Sequence, residues 1–233
     1  MIAREIYDRG TPRKMSNGGA ERALEEQVKH YYRHVESYDW TRAADSFVGP
    51  ETLFHRARSR EVVRLIESVR PRPARCLDVG CGTALITRRL PPGAVGLDLN
   101  PRNLEKARRY APEAVFINCD VEGRIPLADE SFDLAVCTEM LEHLIHPERT
   151  VAEIRRVLKT GGVLVGSVPG RSVVWKLRGL SGSKDSFAEE PYHKHYRREE
   201  VASLLSASLS VRRLYPKHLR MNWFFVAAKE SHA

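Results

Sequence analysis

The sequence lacks an apolar run long enough to cross a membrane, and its N-terminal residues lack the apolar core of a secretory signal. Hydrophobic residues make up 42% of the 233 residues and charged residues 29%. These fractions are typical of ordinary globular proteins rather than disordered or membrane-embedded chains. We therefore expect a soluble protein of the cytoplasm, with a single core domain as the default for this length.

Cysteine is scarce, and the four thiols include no Cys-x-x-Cys pair. Each thiol lies within or beside an apolar run, which is typical of buried reduced cysteines and argues against a disulfide framework or a zinc site. The four residues are Cys76, Cys81, Cys119 and Cys137. We expect their thiols to be buried and reduced.

Acidic residues are fewer than basic ones, and the formal net charge is +8. The basic excess lies outside residues 76–168, where acidic residues slightly outnumber basic ones. Two interpretations stay open. The basic flanks are either solvated charged faces or a surface for an anionic partner, such as nucleic acid or an anionic membrane.

The residue pattern changes twice along the chain. Residues 1–19 are polar and predict a mobile tail. Residues 20–73 contain two amphipathic stretches, which predict an N-terminal helical cap. From residue 74 to 233, short β-branched runs alternate with helical segments, as in parallel βαβ units. The sequence therefore predicts a doubly wound α/β domain preceded by helices.

The runs within 74–233 give the bounds of the expected elements. Strands are predicted over 75–79, 94–98, 114–118, 132–137 and 162–168, and helices over 83–90, 101–110, 147–158 and 198–207. Asn100 and Pro101 are typical of an N-cap and a first helical position. Two final runs, 211–215 and 222–228, are joined by a short link and predict an antiparallel hairpin.

A glycine pair follows the first predicted strand, in the segment CLDVGCGT at residues 76–83. Gly80 and Gly82 permit a tight turn and a close approach of the backbone to a ligand, because neither carries a Cβ. A dinucleotide fingerprint would need a third glycine at position 85, where the chain has Leu85. The turn predicts a ligand site and argues against a pyrophosphate cradle, with a ligand-free turn as the alternative.

Acidic residues stand at the ends of the next two predicted strands. Asp98 is placed where a carboxylate can accept hydrogen bonds from both ribose hydroxyls of an adenosine. Asp120 follows the third strand and can accept a hydrogen bond from the exocyclic amine of an adenine. Because open α/β sheets bind ligands at the carboxyl ends of their strands, the two carboxylates and the glycines indicate one adenosine-binding edge.

Several motifs together resemble the class I S-adenosylmethionine-dependent methyltransferases. DVGCGT, GLDLN, the aspartate after strand three, FDLAVCTEMLEHL and VLKTGGVLVGSVP occur in that family's order and spacing, over residues 74–168. The resemblance implies a Rossmann-like seven-stranded sheet of order 3-2-1-4-5-7-6 with the last strand antiparallel. It also implies an enzyme that transfers the methyl group of S-adenosylmethionine. CTEMLEHL is most similar to the quinone-biosynthesis O-methyltransferases and, more distantly, to small-RNA 2′-O-methyltransferases.

The resemblance also implies roles for individual residues. Gly80 and Gly82 would face the methionine part of the cofactor, Asp98 the ribose hydroxyls, and Asp120 with Val121 the adenine. Within the α/β domain, the other expected cofactor residues are Asp78, Cys81, Leu99 and Thr138. Thr138 would lie at the edge of the sulfonium pocket.

The helical cap adds further expected cofactor contacts. In the quinone enzymes an arginine before the first strand reaches the cofactor carboxylate, and Arg60 is our choice for that role, with Arg56 and Arg58 as alternatives. An aromatic group in the cap predicts either a lid over the cofactor or ordinary core packing; it consists of Tyr31, Tyr32, Tyr38 and Trp40.

Glu139, Glu142 and His143 follow the fourth predicted strand and are the expected catalytic residues. In a helical turn, positions i, i+3 and i+4 share one face, so the three side chains can converge. Two carboxylates and an imidazole suit Mg²⁺ or a related divalent ion. The similar O-methyltransferases hold a metal with such a group, and His193, or alternatively His195, is the expected fourth ligand. A metal-free role, as loop support or base, is the alternative.

Residues 170–196 are longer than an ordinary connection and predict a substrate-binding insertion. The favoured function is O-methylation of a small or lipid-linked acceptor. An RNA 2′-O-methyltransferase with a divalent metal and a non-catalytic cofactor-binding scaffold are the alternatives. The sequence contains no recognisable RNA-binding module, which disfavours the former.

Overall fold

The structure is a computed structural model that describes residues 18–36, 38–46, 49–174 and 190–231. Most of the tail expected at 1–19 lies outside the described residues, and residues 18 and 19 begin the first helix. The middle of the insertion expected at 170–196, from 175 to 189, lies outside them as well.

A seven-stranded sheet of order β3-β2-β1-β4-β5-β7-β6 forms the centre of the fold. Strands β1 to β5 pair in parallel, whereas β7 is antiparallel to both β5 and β6. The sequence prediction of this order and of the closing antiparallel hairpin is confirmed. The strands are β1 (Cys76–Val79), β2 (Val95–Asp98), β3 (Val115–Asn118), β4 (Phe132–Thr138), β5 (Leu158–Pro169), β6 (Ser210–Lys217) and β7 (Asn222–Ala228).

Helices precede the sheet and connect its strands. They are α1 (Gly18–His34), α2 (Trp40–Asp45), α3 (Gly49–Ser68), α4 (Pro101–Tyr110), α5 (Pro147–Val157) and α6 (Arg198–Ser206). Helix α4 begins as predicted, because the Asn100 side chain accepts a hydrogen bond from the Arg102 backbone N–H at 3.0 Å and Pro101 occupies the first turn. No helix in the described ranges is long and apolar enough to span a bilayer.

The connection after β1 differs from the prediction. The helix expected over 83–90 is a turn followed by one short 3₁₀ segment, Thr87–Arg89. Ala84 has a φ of +67°, which interrupts right-handed helical geometry, and Pro91 follows closely. Helix α2 was not predicted; Asp39 caps it by accepting a hydrogen bond from the Arg42 N–H at 3.0 Å.

The sheet is buried on both faces, which is why its strands are continuous apolar runs rather than alternating ones. Leu77 and Leu97 are fully buried on one face, and Leu134 and Phe224 belong to the cluster on the other. Full burial of one such side chain contributes about 1.5–3 kcal/mol to folding. All four cysteines are free and buried, as the sequence predicts.

The N-terminal helical region is attached to the carboxyl ends of the strands. The Thr41 hydroxyl donates a hydrogen bond to the Thr83 carbonyl at 2.7 Å, so α2 is held against the glycine turn. The Asn100 side-chain amide donates to the Val35 carbonyl at 3.0 Å, just beyond α1. These contacts place the helices over the strand ends, where the sequence predicts a ligand.

Candidate functional site

A cavity of about 530 Å³ lies between the carboxyl ends of the strands and helices α1 and α3. It is lined by nine of the ten predicted cofactor residues and by every predicted catalytic residue. The cofactor residues among them are Asp78, Gly80, Cys81, Gly82, Asp98, Leu99, Asp120, Val121 and Thr138. The predicted catalytic residues are Glu139, Glu142 and His143, and the predicted metal ligand His193 lines the cavity as well.

The glycine turn forms one wall of the cavity. Gly80 has a φ of +74° and Gly82 a φ of +52°, a conformation that glycine adopts without a steric cost. A Cβ on Gly80 would lie 2.3 Å from Cγ of Met140, so no larger residue fits there. The N–H groups of Gly80 and Cys81 both donate to the Leu97 carbonyl at 2.8 Å. The turn is therefore fixed to β2.

Asp78 lies beneath the turn and is buried. Its carboxylate accepts a hydrogen bond from the Thr87 hydroxyl at 2.6 Å. Burial raises the pKa of Asp78 to about 6, partly opposed by that hydrogen bond. Asp78 therefore lines the cavity and also anchors the 3₁₀ segment.

Asp98 is oriented by three hydrogen bonds. Its carboxylate accepts from the Gly82 N–H at 2.9 Å, the Asn100 N–H at 2.8 Å and the Asn103 side-chain amide at 3.1 Å. A carboxylate offers about four acceptor positions, so about one remains for a ligand hydroxyl. Burial raises the pKa of Asp98, and the three hydrogen bonds oppose that rise.

Asp120 is paired with helix α1. Its carboxylate lies 2.9 Å from the Lys29 ammonium, which also contacts Glu25 at 2.6 Å. The other Asp120 oxygen accepts from the Glu122 N–H at 3.0 Å. An adenine amine at this position would share the carboxylate with Lys29. Helix α1 therefore covers the part of the cavity that the sequence assigns to adenine.

Arg58, and not Arg60, is the arginine that enters the cavity. Arg58 precedes Val62 by one helical turn, on the face of α3 that packs against the sheet, whereas Arg60 points outward and is exposed. The choice of Arg60 was wrong because two residues that are two positions apart on an α-helix point to opposite sides of the helix. The Arg58 guanidinium lies 3.2 Å from the Glu139 carboxylate.

The hydrogen bonds of the Glu139 side chain are made to the sheet and to α3. Glu139 accepts hydrogen bonds from the Ser167 hydroxyl at 2.7 Å and the Asn222 amide at 3.0 Å, besides its pairing with Arg58. The convergence prediction assumed an α-helical turn. Glu139 instead has a φ of +49°, and Leu141–His143 is a 3₁₀ segment, so the i, i+3, i+4 face does not form.

Glu142 is buried with 1% of its surface exposed. Burial raises the pKa of its carboxyl well above the usual range, and the charge of Glu139 raises it further. Its Oε2 has no hydrogen-bond partner within the described ranges, and its Oε1 lies 3.8 Å from Nε2 of His143. Burial therefore favours the neutral form of the Glu142 carboxyl.

His143 is the centre of a cluster that the sequence predicted only in part. Its Nδ1 lies 2.7 Å from the Tyr32 hydroxyl of α1 and 3.6 Å from the Glu190 carboxylate. Glu190 in turn lies 2.8 Å from Nδ1 of His193. Burial, and then the charge of His193, lowers the pKa of His143 well below its usual value. The imidazole is neutral at pH 7.

The same cluster contains a group of three residues with metal-ligand chemistry. One ligand atom from each of His143, Glu190 and His193 lies within 4.8 Å of the other two. The structure thus brings together two of the predicted ligands, His143 and His193, and adds Glu190. His195 packs its ring against His193 at 5.1 Å and does not line the cavity.

Residues 77–166 match the sequence family described as "Methyltransferase domain". Residues 77–166 are therefore similar to methyltransferase domains, and the match spans less than half of the chain. A malonyl-[acyl-carrier protein] O-methyltransferase of Erwinia pyrifoliae is 33% identical over 138 residues, which are 55% of this chain and 52% of that protein. A ubiquinone biosynthesis O-methyltransferase of Xanthomonas axonopodis pv. citri is 33% identical over 131 residues, which are 53% and 55%. The alignments thus span about half the length of these relatives.

Solved structures share the fold of this chain. The N-methyltransferase NodS of Bradyrhizobium japonicum, in complex with S-adenosyl-L-homocysteine, is similar with a TM-score of 0.63 and 17% identity, covering 89% of this chain and 99% of that one. The magnesium protoporphyrin IX methyltransferase of Synechocystis PCC 6803 has a TM-score of 0.68 and 16% identity, covering 88% and 99%.

Sequence reasoning missed one residue that lines the 530 Å³ cavity and misjudged the role of another. Glu190 follows the undescribed part of the insertion, and its only signal was its position three residues before His193. Tyr32 was expected as a lid aromatic, but its hydroxyl contacts a residue 111 positions away. The segment that carries Glu190 is held in place because the Tyr196 hydroxyl donates to the Leu141 carbonyl at 3.0 Å.

Proposed function

We propose that the chain binds S-adenosylmethionine in the 530 Å³ cavity and transfers its methyl group to an oxygen of a small or lipid-linked acceptor. The observation that carries this proposal is that the strand-end residues and the His143 cluster line one and the same cavity. A cofactor held by the strand-end residues would present its reactive group to an acceptor bound beside the His143 cluster.

The residues of the cofactor end suit each part of the proposed ligand. Asp98 has an acceptor position for a ribose hydroxyl, and the glycine turn allows the methionine part to approach the backbone closely. Arg58 lines the cavity, so it is our choice for the arginine that binds the cofactor carboxylate. It would exchange part of its pairing with Glu139 for that carboxylate.

His143 is the group best placed to take a proton from the acceptor. Burial raises the pKa of Tyr32, and the Glu190 carboxylate, which attracts the hydroxyl proton, raises it further. We therefore propose that the proton between Tyr32 and His143 lies on Nδ1 of His143, so that Nε2 would act as the base. The Glu142 carboxyl lies 3.8 Å from that Nε2.

S-adenosylmethionine, when bound, supplies an electrophilic methyl group on a sulfonium sulfur. His143 Nε2 would accept the proton of an acceptor hydroxyl, which would leave the oxygen as the nucleophile for that methyl group, with the sulfur as the leaving group. Helices α1 and α3 wall the cavity, and the fixed turn would help to align the reacting atoms. General base catalysis of this kind contributes about 10²–10⁴-fold.

A divalent metal on His143, Glu190 and His193 is a second candidate, favoured by the 4.8 Å grouping of their ligand atoms. Two imidazoles and one carboxylate suit Zn²⁺, Fe²⁺ or Mn²⁺ better than the Mg²⁺ that the sequence indicated. These three residues would hold the ion, which would lower the pKa of an acceptor hydroxyl. Glu139, already paired with Arg58 and hydrogen-bonded to Asn222, would not contribute.

The relatives support oxygen as the methylated atom, because both are named O-methyltransferases. Their names indicate a carrier-bound malonyl group and a quinone precursor as acceptor classes. We propose a phenol or a carboxylate on a small or lipid-linked molecule. RNA as an acceptor, with the basic flanks as its contact, and a scaffold role without catalysis are the competing functions.

The test is calorimetric titration of the full chain with S-adenosylhomocysteine, followed by transfer of tritiated methyl groups. We expect saturable one-to-one binding that Asp98→Ala weakens at least tenfold. Glu105→Ala, which removes an exposed carboxylate paired with Arg109 on α4, is the matched control and should bind normally. An absence of binding, or equal binding by Asp98→Ala, contradicts the proposal.

The acceptor test offers phenols, acyl carboxylates and single-stranded RNA to the same preparation. Label in a phenol or a carboxylate supports the proposed function. Label found only in RNA supports an RNA methyltransferase instead. Cofactor binding without transfer to any of the three favours the scaffold. A chelator should leave transfer unchanged if His143 acts as a base, and should abolish it if the metal is required.

A further inference from the structure

A second cavity, of about 460 Å³, lies on the outer side of helix α3 and is lined by five arginines. We call it the arginine cleft; the five are Arg56, Arg60, Arg64, Arg88 and Arg89. Its apolar walls are contributed by Ala44, Val63 and Leu85. Ser59 and Leu85 line both this cleft and the 530 Å³ cavity, so the two cavities share a thin wall.

The spacing of the arginines on α3 explains the cleft. Arg56, Arg60 and Arg64 are four residues apart and form one stripe along the outer face of the helix. Arg58 and Val62 form a stripe on the opposite, inner face. The other two arginines come from the 3₁₀ segment after β1, which faces the outer stripe across the cleft.

Positive charge in the cleft exceeds what the protein neutralises. Asp45 is the only acidic residue among the described residues that line it. Asp45 pairs with both terminal nitrogens of Arg88, at 2.7 and 2.8 Å, and Arg64 pairs with Glu61 at 3.2 Å. The hydrogen bond from Arg88, followed by the charges of Arg88 and Arg89, lowers the pKa of Asp45 against the effect of burial.

Two of the arginines have no partner in the ranges that the structure describes. Arg60 and Arg89 are exposed, and their guanidinium groups form neither an ion pair nor a hydrogen bond with a described residue. The Nε of Arg88 is buried and likewise lacks an acceptor there. Guanidinium groups crowded into one concavity repel one another unless an anion lies between them. An anion in the cleft would offset this repulsion.

We propose that the arginine cleft binds a phosphate ester group, at a site separate from the methyl-transfer cavity. A phosphate monoester carries about two negative charges and several acceptor oxygens, and the planar fork of arginine binds it through paired hydrogen bonds. Several arginines converging on one concavity match a multiply charged tetrahedral anion better than a single carboxylate. The volume suits a small molecule or a headgroup rather than a protein helix.

The test is calorimetric titration of the full chain with inorganic pyrophosphate, with the double variant R60A/R89A as the decisive comparison. We expect saturable one-to-one binding that the double variant weakens at least tenfold. The matched control is R108A/R109A, which removes two positive charges from the exposed face of α4 and should bind pyrophosphate within twofold of the parent. Both variants should bind S-adenosylhomocysteine normally, so a loss of pyrophosphate binding is not a loss of fold or of the proposed enzymatic function.

Two further arms identify the source of the phosphate. Cosedimentation with vesicles of phosphatidylcholine and phosphatidylglycerol, lost in R60A/R89A and competed by pyrophosphate, supports the proposal with a lipid headgroup as the source. Pyrophosphate binding without vesicle binding supports it with a soluble phosphate ester. Non-saturable binding, equal losses in both double variants, or binding of polyglutamate with no binding of phosphate would overturn it.

Discussion

The two ends of the 530 Å³ cavity are built in different ways. The proposed cofactor end consists of backbone turns and short side chains at the ends of β1, β2 and β3, and contacts between neighbouring strands fix it, as when Asp98 accepts from the Gly82 N–H. The proposed acceptor end consists of long side chains from three distant segments, and Tyr32 meets His143 across 111 residues. The first end is fixed by the sheet, and the second depends on how α1 and the insertion pack.

This difference has a functional consequence. A site made from strand ends is held by the most buried part of the fold, so it is suited to a ligand common to all members of a family. A site made from surrounding helices and loops is suited to ligands that differ between members. Mutations at the two ends should therefore affect different measurable quantities.

The largest expected effect is on turnover, from His143→Gln at the acceptor end. Because the variant removes the proposed base and keeps a polar side chain, kcat should fall by about 10²–10⁴-fold while the Kd for S-adenosylhomocysteine stays within twofold. His193→Gln is the control that separates the two proposed mechanisms. A loss below tenfold supports the base, and an equal loss supports the metal. A His143→Gln enzyme with normal turnover would contradict both.

At the cofactor end the largest effect is expected from Gly80→Ala. The added Cβ would lie 2.3 Å from Met140 Cγ in a backbone of positive φ, and overpacking together with strain costs about 2–5 kcal/mol. We expect a lower Tm and weakened S-adenosylhomocysteine binding. Gly93→Ala is the matched control, because Gly93 has a φ of +80° and no atom within 4 Å of its Cβ position. Equal losses in Tm would show that the backbone conformation, and not the overlap, is responsible.

Asp78 gives the stability of the cofactor end a specific dependence on pH. Its folded pKa of about 6 exceeds the ordinary value of 3.8, so the folded chain binds this proton more tightly than the unfolded chain. The resulting stability is complete below about pH 4 and is lost as the pH rises through about 6, on the order of 3 kcal/mol.

Asp78→Asn removes this titration and keeps an acceptor for the Thr87 hydroxyl. The free energy of unfolding of the variant, relative to that of the parent, should therefore increase between pH 4 and pH 7. Urea denaturation at a series of pH values measures the difference. Parallel curves for the two proteins would show that Asp78 titrates normally.

The smallest effect is expected from Tyr32→Phe, at the acceptor end. The variant removes a hydroxyl that orients His143 but leaves the imidazole, so kcat should fall by about tenfold and KM should change little. Tyr31→Phe, on the same helix, is the control and should turn over normally. A fall as large as that of His143→Gln would mean that Tyr32 itself exchanges the proton.

The fold and the cofactor end could be predicted from the sequence because their signals are local. Gly80 and Gly82 follow a β-branched run directly, and Asn100 and Pro101 form a helix start of known type. The helix predicted over 83–90 does not form. Ala84 has high helix propensity, but the surrounding turn imposes a φ of +67° on it.

The acceptor end could be predicted only in part because its geometry depends on distant packing. The sequence indicated His143 and His193, but the turn at Glu139 depends on hydrogen bonds from Ser167 and Asn222 on other strands. The error at Arg60 has a different origin. Arg58 lies one helical turn before Val62 on the apolar stripe of α3, so the spacing already favoured Arg58 over Arg60.

Helix α1 also bears on the kinetics of ligand exchange. It covers one side of the cavity and is attached through Lys29 to Asp120 and through Tyr32 to His143, so it spans both ends of the site. We therefore expect these contacts to slow the departure of the spent cofactor, so that α1 moves away from the strand ends before a bound nucleoside leaves.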